Sequence, residues 1–190
     1  MGSKTIELHT HRLLLRQWKS QDFPRFAEIS ADPRVMEFYP KPLTEAESFD
    51  MALKITRLIE ERSWGFWAVE VEGLGEFIGY VGLHQPTYDL PFGPCVEIGW
   101  RLSSSHWGKG YATEAARESL RFAFDVLGLN EVYSFASVLN RKSWRVMQRL
   151  NMKNMNQNFA HPHLPKAHPL SEHVLYKITK EEWQGECGLS

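Results

Sequence analysis

Residues 107–113 place two glycines between a strand pattern and a helix pattern. Before them, every second residue from Val96 to Leu102 is apolar, which is the period of a strand with one buried face. After them, apolar residues share one helical face from Ala116 to Leu127, and charged residues share the opposite face. Such a loop either shapes a tight turn or brings free backbone N–H groups to a phosphate at a helix N-terminus. The order of strand, glycine loop and helix is typical of an α/β fold.

The remaining periodic segments alternate between strands and helices. In chain order, the predicted elements are a strand at 13–15, helices at 20–32 and 44–62, strands at 64–70, 77–84 and 96–102, a helix at 113–127, a strand at 131–138, a helix at 140–150 and a strand at 173–179. This alternation predicts an α/β sandwich with a mixed sheet. A length of 190 residues suits one domain that spans the whole chain, residues 1–190.

Several helix ends carry recognisable capping residues. Thr44 and Glu47 form a capping box, because the hydroxyl and the carboxylate three residues later satisfy backbone N–H groups. Pro33 ends the first helix, and Gly128 ends the helix that begins at 113. Asn140 is the predicted N-cap of the short helix that follows.

Charge and cysteine content exclude several classes of protein. Lys and Arg number 22 and Asp and Glu 23, for a formal net charge of -1. No global field therefore draws the chain to polyanions, and a nucleic-acid coat protein is disfavoured. Cys95 and Cys187 lie far apart in the sequence, so neither a disulfide framework nor a cysteine zinc site is expected. This cysteine usage fits a reducing cytoplasm best, and a cytoplasmic protein is expected. Residues 1–6 contain no apolar run suited to a signal peptide or a membrane span.

Two nucleotide-binding motifs fail at the glycine loop. A P-loop needs Gly-Lys followed by Ser or Thr, whereas Gly110 follows Lys109 and no glycine stands at the required distance upstream. A dinucleotide fingerprint needs glycine where Thr113 stands, and a parallel strand unit at the start of the chain. A mononucleotide-binding module is therefore disfavoured.

The loop resembles the acetyl-CoA loop of GNAT-superfamily N-acetyltransferases, whose pattern is Gln/Arg-x-x-Gly-x-Gly/Ala. Gly110 and Ala112 fill the small positions, and Trp107 stands where Gln or Arg is usual. Asn151-Met152 stands where related chains usually have Gly-Phe, and asparagine tolerates the left-handed conformation of such a helix end. The chain is similar to the branch that includes the ribosomal-protein alanine N-acetyltransferases. In order along almost the whole chain, the matching motifs are 11–16 with Trp18 and Asp22, Asp32-Pro33, 97–100, 107–115 and Asn140-x-x-Ser143.

This resemblance implies both a fold and a reaction. The implied fold is a single GNAT domain with a mixed, mostly antiparallel central sheet of about seven strands, splayed at the centre, and about four flanking helices. The implied reaction is direct transfer of an acetyl group from acetyl-CoA to a primary amine. In the family, pantetheine lies beside a splayed strand, here 100–102, and the pyrophosphate lies over the loop, here 108–113. The implied cofactor-binding residues are Trp100, Leu102, Trp107, Gly108, Lys109, Gly110, Tyr111, Ala112, Thr113, Asn140 and Ser143.

Acyl transfer to an amine needs a proton acceptor for the amine and a proton donor for the thiolate. Glu97 is the candidate for the proton relay, since strand parity places it on the face of Arg101. The alternative is an ordinary strand carboxylate paired with Arg101. The resemblance implies that Ser143 hydrogen bonds to the thiolate or protonates it and that Asn140 contacts the cofactor. Both residues also suit a helix cap and first turn.

Four histidines, His161, His163, His168 and His173, lie in or after a proline-rich loop. They lack the helical or strand spacing that presets metal ligands, so no metal is expected. Related chains carry similar His-Pro loops before the last strand. We therefore interpret these histidines as lining the acceptor site.

The expected partners are acetyl-CoA and an amine acceptor, which is either the N-terminus of a protein such as a ribosomal protein or a small molecule. Neither nucleic acid nor a membrane is expected as a partner, and the chain is expected to act as a monomer or homodimer. A noncatalytic acyl-CoA-binding sensor would keep the loop without the chemistry. Glu97, Asn140 and Ser143 favour the enzyme over the sensor.

Overall fold

The computed structural model of the protein describes residues 6–187. The chain forms two compact units, each assembled from two separate stretches. The first unit extends to Leu83 and resumes from Gly99 to Ser119. The second unit contains His84–Ile98 and the chain from Leu120 onward. A single domain over residues 1–190 stays a prediction.

Successive strands of the first unit are neighbours in its sheet. These strands are β1 (Leu8–His9), β2 (Leu13–Arg16), β3 (Phe66–Val71), β4 (Glu76–His84) and β5 (Glu97–Leu102), of which Gly99–Leu102 lie in this unit. Strands β1 to β4 pair antiparallel, and β3 and β4 confirm the strands predicted at 64–70 and 77–84. Close approach of β4 and β5 requires glycine at position 79, because a Cβ there would overlap the Arg101 carbonyl oxygen.

The helices of the first unit start and stop at the predicted capping residues. α1 (Asp22–Ala31) ends before Pro33, and α2 (Glu45–Arg62) begins after Thr44. The Thr44 hydroxyl accepts a hydrogen bond from the Glu47 N–H at 3.2 Å, and the Glu47 carboxylate accepts one from the Thr44 N–H at 2.8 Å. The capping box is thus confirmed. The core beneath these helices contains Trp18, Phe26, Ile29, Val35, Met36, Ala52, Ile55, Ile59, Ala68, Phe77 and Tyr80.

A buried arginine joins β2, α1 and β3. The Arg16 side chain is 2% exposed and donates to both carboxylate oxygens of Asp22, at 2.7 and 2.9 Å, and to Glu70 at 2.6 Å. Burial opposes the charged form of Arg16, but the hydrogen bonds to Asp22 and Glu70 outweigh it and raise the pKa. The guanidinium therefore stays charged inside the first unit, balanced by two carboxylates.

α3 (Tyr111–Arg121) begins earlier than the sequence predicts. Periodicity placed its start at Thr113, but Gly110 adopts a left-handed conformation, with φ +83°, and the helix begins directly after it. The helical chain continues as a π-helical turn over Phe122–Val126. Gly128, with φ +67°, follows this turn and confirms the predicted stop.

The second unit is built on an antiparallel pair of long strands with two short strands beside it. These strands are β6 (Glu131–Ser137), β7 (Lys153–Asn154), β8 (Phe159–Ala160) and β9 (Glu172–Thr179). β6 and β9 are in register from Glu131 opposite Thr179 to Ser137 opposite His173. β7 and β8 each pair with β9 in antiparallel orientation.

Two helices complete the second unit. α4 (Arg141–Arg149) is followed by Asn151, whose φ of +56° confirms the left-handed position expected at this helix end. α5 (Lys180–Cys187) follows β9 directly. It places the ring of Trp183 5.9 Å from that of Phe124, between centroids, so that the last helix contributes to the core of this unit.

The first residues of β5 belong to the second unit, where β5 runs parallel to β6. In the described part of the chain this pair has one registered position, Glu97 opposite Tyr133. A ladder this short agrees with the splay expected of the central strands. With the antiparallel pairs of both units, it confirms an α/β fold with a mixed, mostly antiparallel sheet.

Residues 6–187 contain nine strands and five α-helices, more than the sequence predicts. Three of the strands, β1, β7 and β8, have two residues each, too few for a period-2 pattern to be visible. The fifth helix, α5, is mainly polar and contains Gly185, which weakens its helical pattern. No helix in the described chain is long and apolar enough to cross a bilayer.

Candidate active site

The glycine loop of the first unit turns through two left-handed residues before α3. Gly108 has φ +76° and Gly110 has φ +83°, a region that residues with a Cβ rarely adopt. A Cβ on Gly108 would meet no atom within 4 Å, and one on Gly110 would lie 3.4 Å from Arg12 Nη2. Backbone conformation, rather than crowding, therefore requires glycine at these positions.

The first turn of α3 presents backbone N–H groups at the end of this loop. The Glu114 N–H donates to the Gly110 carbonyl at 3.0 Å and closes the first intrahelical hydrogen bond. The N–H groups of 111–113 precede that bond, and amides at such positions have no acceptor within their helix. Together with the positive end of the helix dipole, they suit an anion such as a phosphate. The exposed Lys109 side chain adds a positive charge to the same loop.

Thr10 and Arg12 brace this turn, and the sequence patterns did not assign either residue to the site. Arg12 donates from Nε and Nη2 to the Glu114 carboxylate, at 2.8 and 2.6 Å, and its guanidinium lies 4.7 Å from the centroid of the Tyr111 ring. The Thr10 hydroxyl donates to Glu114 Oε1 at 2.6 Å. Burial favours neutral Glu114, but these hydrogen bonds outweigh it and lower the pKa. The one feature of the sequence that pointed to Arg12 was the motif at 11–16, which does not show that this residue lies beside the loop.

The indole of Trp107 fastens the loop to the end of β5. Its Nε1 donates to the Leu102 carbonyl at 2.9 Å, while the residue stays 37% exposed. The Leu102 side chain is buried, so a ligand contact at this residue would use its backbone. Trp100, on the same strand, is half-buried. The structure therefore brings the predicted loop residues 107–113 together beyond the end of β5.

Asn140 and Ser143 form the N-terminal cap of α4 in the second unit. The Asn140 side-chain oxygen accepts a hydrogen bond from the Ser143 N–H at 3.1 Å, which confirms the capping role. The cap uses the backbone of Ser143 and the carbonyl oxygen of Asn140. It leaves the roles of the Ser143 hydroxyl and the Asn140 NH2 group toward a ligand as predictions.

Glu97 is the first residue of β5 and lies partly buried in the second unit. Burial raises the pKa of its carboxyl group to about 8. No hydrogen bond or charge from the described residues offsets this effect. A carboxyl group with a pKa near neutrality can both accept and release a proton at physiological pH, as an acid–base catalyst must.

The alternative pairing of Glu97 with Arg101 is wrong. Four residues of an extended strand separate the two Cα atoms by about 13 Å. Burial, with no contribution from the charge of Arg101, accounts for the shifted pKa of Glu97. Arg101 instead donates to Ser30 Oγ at 3.2 Å, and its guanidinium lies 4.4 Å from the centroid of the Tyr39 ring. The alternation of side chains along a strand predicts that Glu97 and Arg101 share a face, but it does not predict that they are in contact.

Three of the four loop histidines cluster with Tyr88 in the second unit. Between centroids, the His161 ring lies 4.8 Å from His173 and 5.4 Å from His163, and the Tyr88 ring lies 4.3 Å from His163. His168 instead accepts a backbone hydrogen bond within the loop. Across residues 6–187, no group of three or more His, Cys, Asp or Glu side chains is arranged to hold a metal ion.

The chain is similar to known acetyltransferases in sequence and in fold. A family model described as an acetyltransferase (GNAT) domain matches residues 12–153. The chain is 32% identical over 183 residues to an FsC-acetyl coenzyme A-N(2)-transacetylase of Aspergillus fumigatus, covering 93% of this chain and 77% of the relative. It is similar to the crystal structure of a GNAT-family acetyltransferase from Bacillus anthracis, with a TM-score of 0.77, 25% identity and coverage of 93% and 100%. A ribosomal-protein-S5-alanine acetyltransferase from Vibrio fischeri shares the fold, with a TM-score of 0.72, 20% identity and coverage of 94% and 98%.

Proposed function

Because this chain belongs to the GNAT family of acetyltransferases, we propose that it transfers an acetyl group directly from acetyl-CoA to a primary amine of a small molecule or a protein N-terminus. One observation carries the proposal. The strand that begins with Glu97, whose pKa is raised, runs into the loop whose left-handed glycines expose the first-turn amides of α3. Along the chain, the candidate base thus stands at the beginning of β5, and the candidate anion-binding turn follows the end of this strand.

The residues of the loop fit the diphosphate of acetyl-CoA, the cosubstrate of this family. The N–H groups of 111–113 would donate to phosphate oxygens, and Lys109 would neutralise part of their charge. The backbone of Trp100–Leu102 would bind the pantetheine amides. When bound, acetyl-CoA supplies a thioester whose acetyl carbon is open to attack by an amine.

The proton leaves the amine through Glu97 in this proposal. A neutral amine is the nucleophile, and as its nitrogen bonds to the acetyl carbon, Glu97 accepts the proton directly or through one water molecule. A backbone N–H of β5 would hold the developing negative charge on the carbonyl oxygen. As the carbon–sulfur bond breaks, the Ser143 hydroxyl would hydrogen bond to the departing thiolate, which takes its proton from solvent, while Glu97 releases to solvent the proton of the amine. Asn140 would contact the coenzyme near the helix that it caps.

The acceptor is a nitrogen nucleophile. The similar protein from Aspergillus fumigatus is named as an N(2)-transacetylase that uses acetyl coenzyme A, which supports an amine here. Glu97 favours the same class, because a carboxyl group with a pKa of about 8 is a stronger base than an ordinary carboxylate and can take the proton that an amine nitrogen loses on acylation.

Thermal unfolding tests the coenzyme part of the proposal. Acetyl-CoA and CoA at about a hundred times their dissociation constants should each stabilise the protein by roughly 2.7 kcal/mol, whereas ATP should not. The acetyl-CoA sample is then mixed with a panel of primary amines, and release of the CoA thiol is followed. A folded protein that CoA does not stabilise would contradict the proposal. CoA binding without thiol release across the panel would indicate the acyl-CoA sensor instead.

Replacing Gly110 by alanine should weaken CoA binding about tenfold, because it strains the backbone that presents the first-turn amides. Gly73 is the matched control: its φ is +80°, and a Cβ there would meet no atom within 4 Å. Both variants should lose about 1 kcal/mol of stability from the same backbone strain. Titration calorimetry with CoA should separate them, and equal affinities would remove this loop from the site.

A further inference from the structure

Seven rings of the second unit pack together at its surface, and the proposed acetyl transfer assigns no step to them. Between centroids, Tyr88 lies 4.3 Å from His163, Phe92 lies 5.0 Å from Phe159, and Phe135 lies 5.6 Å from Phe159. None of the seven is fully buried. Of the seven, His163 is exposed and the others are half-buried. A contiguous cluster of apolar groups that reaches the surface is a candidate binding surface. We call this surface the aromatic patch; it consists of Tyr88, Phe92, Phe135, Phe159, His161, His163 and His173.

Strand register puts three residues of the aromatic patch, Phe135, Phe159 and His173, on the same face of the sheet as Glu97. Glu97 is opposite Tyr133, and opposite residues point their side chains to the same face. Phe135 lies two residues along β6 from Tyr133 and therefore shares that face. Ser137, two residues beyond Phe135, shares this face as well. His173 is opposite Ser137 on β6 and opposite Phe159 on β8. This face therefore carries Glu97 and three of the seven rings.

The enclosed imidazoles of the patch are neutral at physiological pH. Burial lowers the pKa of His173, and burial together with the neighbouring histidines lowers that of His161 to about 4. The backbone N–H of His163 donates a hydrogen bond to His161 Nδ1 at 3.3 Å, so neutral His161 carries its hydrogen on Nε2. The Nε2 atom lies 3.5 Å from the Tyr88 hydroxyl. Burial and then the Glu97 charge raise the pKa of Tyr88, which stays un-ionised. The surface is therefore largely uncharged, and its strand positions share a face of the sheet with Glu97.

We infer that the aromatic patch binds an aromatic ring of the acceptor, which makes arylalkylamines the substrate class of this enzyme. The inference rests on the proposed function, in which Glu97 takes a proton from the amine. The faces and edges of the patch rings offer stacked and edge-to-face contacts that favour another aromatic ring over a saturated one. A protonated amine approaching the site is also attracted to ring faces and to the carboxylate. Because ring site and carboxyl group share one face, a short chain can join the ring to the amine.

Two amines of nearly equal size separate ring recognition from simple hydrophobic burial. They are 2-phenylethylamine and 2-cyclohexylethylamine. The cyclohexyl compound is the more hydrophobic, so burial alone would favour it, whereas the aromatic patch should favour the phenyl compound about tenfold. Binding is measured by calorimetry with CoA present, and kcat/KM by thiol release with acetyl-CoA. Equal binding, tighter binding of the cyclohexyl compound or no binding of either would overturn the inference.

Variants at Tyr88 and Phe159 identify the surface responsible. Tyr88→Leu and Phe159→Leu should each reduce phenyl affinity severalfold and leave cyclohexyl affinity nearly unchanged, while Tyr88→Phe retains the preference. Leu74→Ala, at a side chain that is 73% exposed in the first unit, is the control and should change neither. Equal losses for both amines would also overturn the inference. If CoA stabilises the protein and other amines are acetylated, the proposed function survives that result; if CoA does not bind, the proposed function fails independently.

Discussion

Replacing Glu97 by glutamine should lower kcat/KM about a hundredfold, because the amide keeps the size of the side chain but cannot accept the proton of the amine. Thiol release from acetyl-CoA measures this loss with any acceptor that the protein uses. CoA affinity should stay within about twofold of the parent, since the role assigned to Glu97 is proton transfer. Glu60→Gln removes an exposed carboxylate from α2 and should leave the rate unchanged.

The pH profile distinguishes a base from a merely structural carboxyl group. The pKa of Glu97 is raised to about 8, so the carboxylate form is the minority at pH 7 and becomes dominant as the pH rises past 8. The kcat/KM of the parent should therefore rise through this range. The amine also loses its proton as the pH rises, so the profile is recorded with acceptors of different pKa. A step near pH 8 that is independent of the acceptor and absent from Glu97→Gln identifies this residue; the same step in both proteins would refute its role.

Asp22→Ala should cost about 3 kcal/mol of stability, because it leaves the buried Arg16 guanidinium with Glu70 as its remaining charged partner. Asp22 also accepts the Lys19 N–H at 2.7 Å, and that donor would lose its partner too. Urea denaturation measures the change.

Asp50 provides the comparison, since it is an exposed aspartate on α2 and its replacement by alanine should stay within about 0.5 kcal/mol of the parent. A loss below about 1 kcal/mol for Asp22→Ala would show that the ion pairs at Arg16 do not hold the first unit together.

Local rules predicted the features that depend on neighbouring residues. The Thr44–Glu47 capping box, the stop at Gly128 and the left-handed Asn151 follow from interactions within one turn of backbone, and the structure confirms all three. The order of the long strands and helices also follows from periodicity. The start of α3 was misplaced because Gly110, rather than the apolar pattern, determines where the helix begins.

The site depends on distances that the sequence does not contain. Arg12 meets Glu114 across about a hundred positions of the chain, and no periodic pattern predicts such a contact. The raised pKa of Glu97 arises from burial by residues that fold around it. In the sequence, Glu97 looks like any other glutamate in a strand. The loop histidines lacked regular spacing in the sequence, yet the register of β8 and β9 brings two ring positions, Phe159 and His173, opposite each other. The family resemblance predicted which residues form the loop, whereas the residues that contact the loop could be identified only in the folded structure.

The brace of Thr10 and Arg12 on Glu114 couples residues 10–12 thermodynamically to any ligand that binds at the first turn of α3. A ligand that favours the ordered first turn of α3 must favour the docked brace by the same free energy, and the docked brace must favour the ligand. A change that loosens residues 10–12 would therefore weaken coenzyme binding at the proposed site without touching a ligand-binding group. In return, coenzyme bound at that site would hold residues 10–12 more firmly against α3.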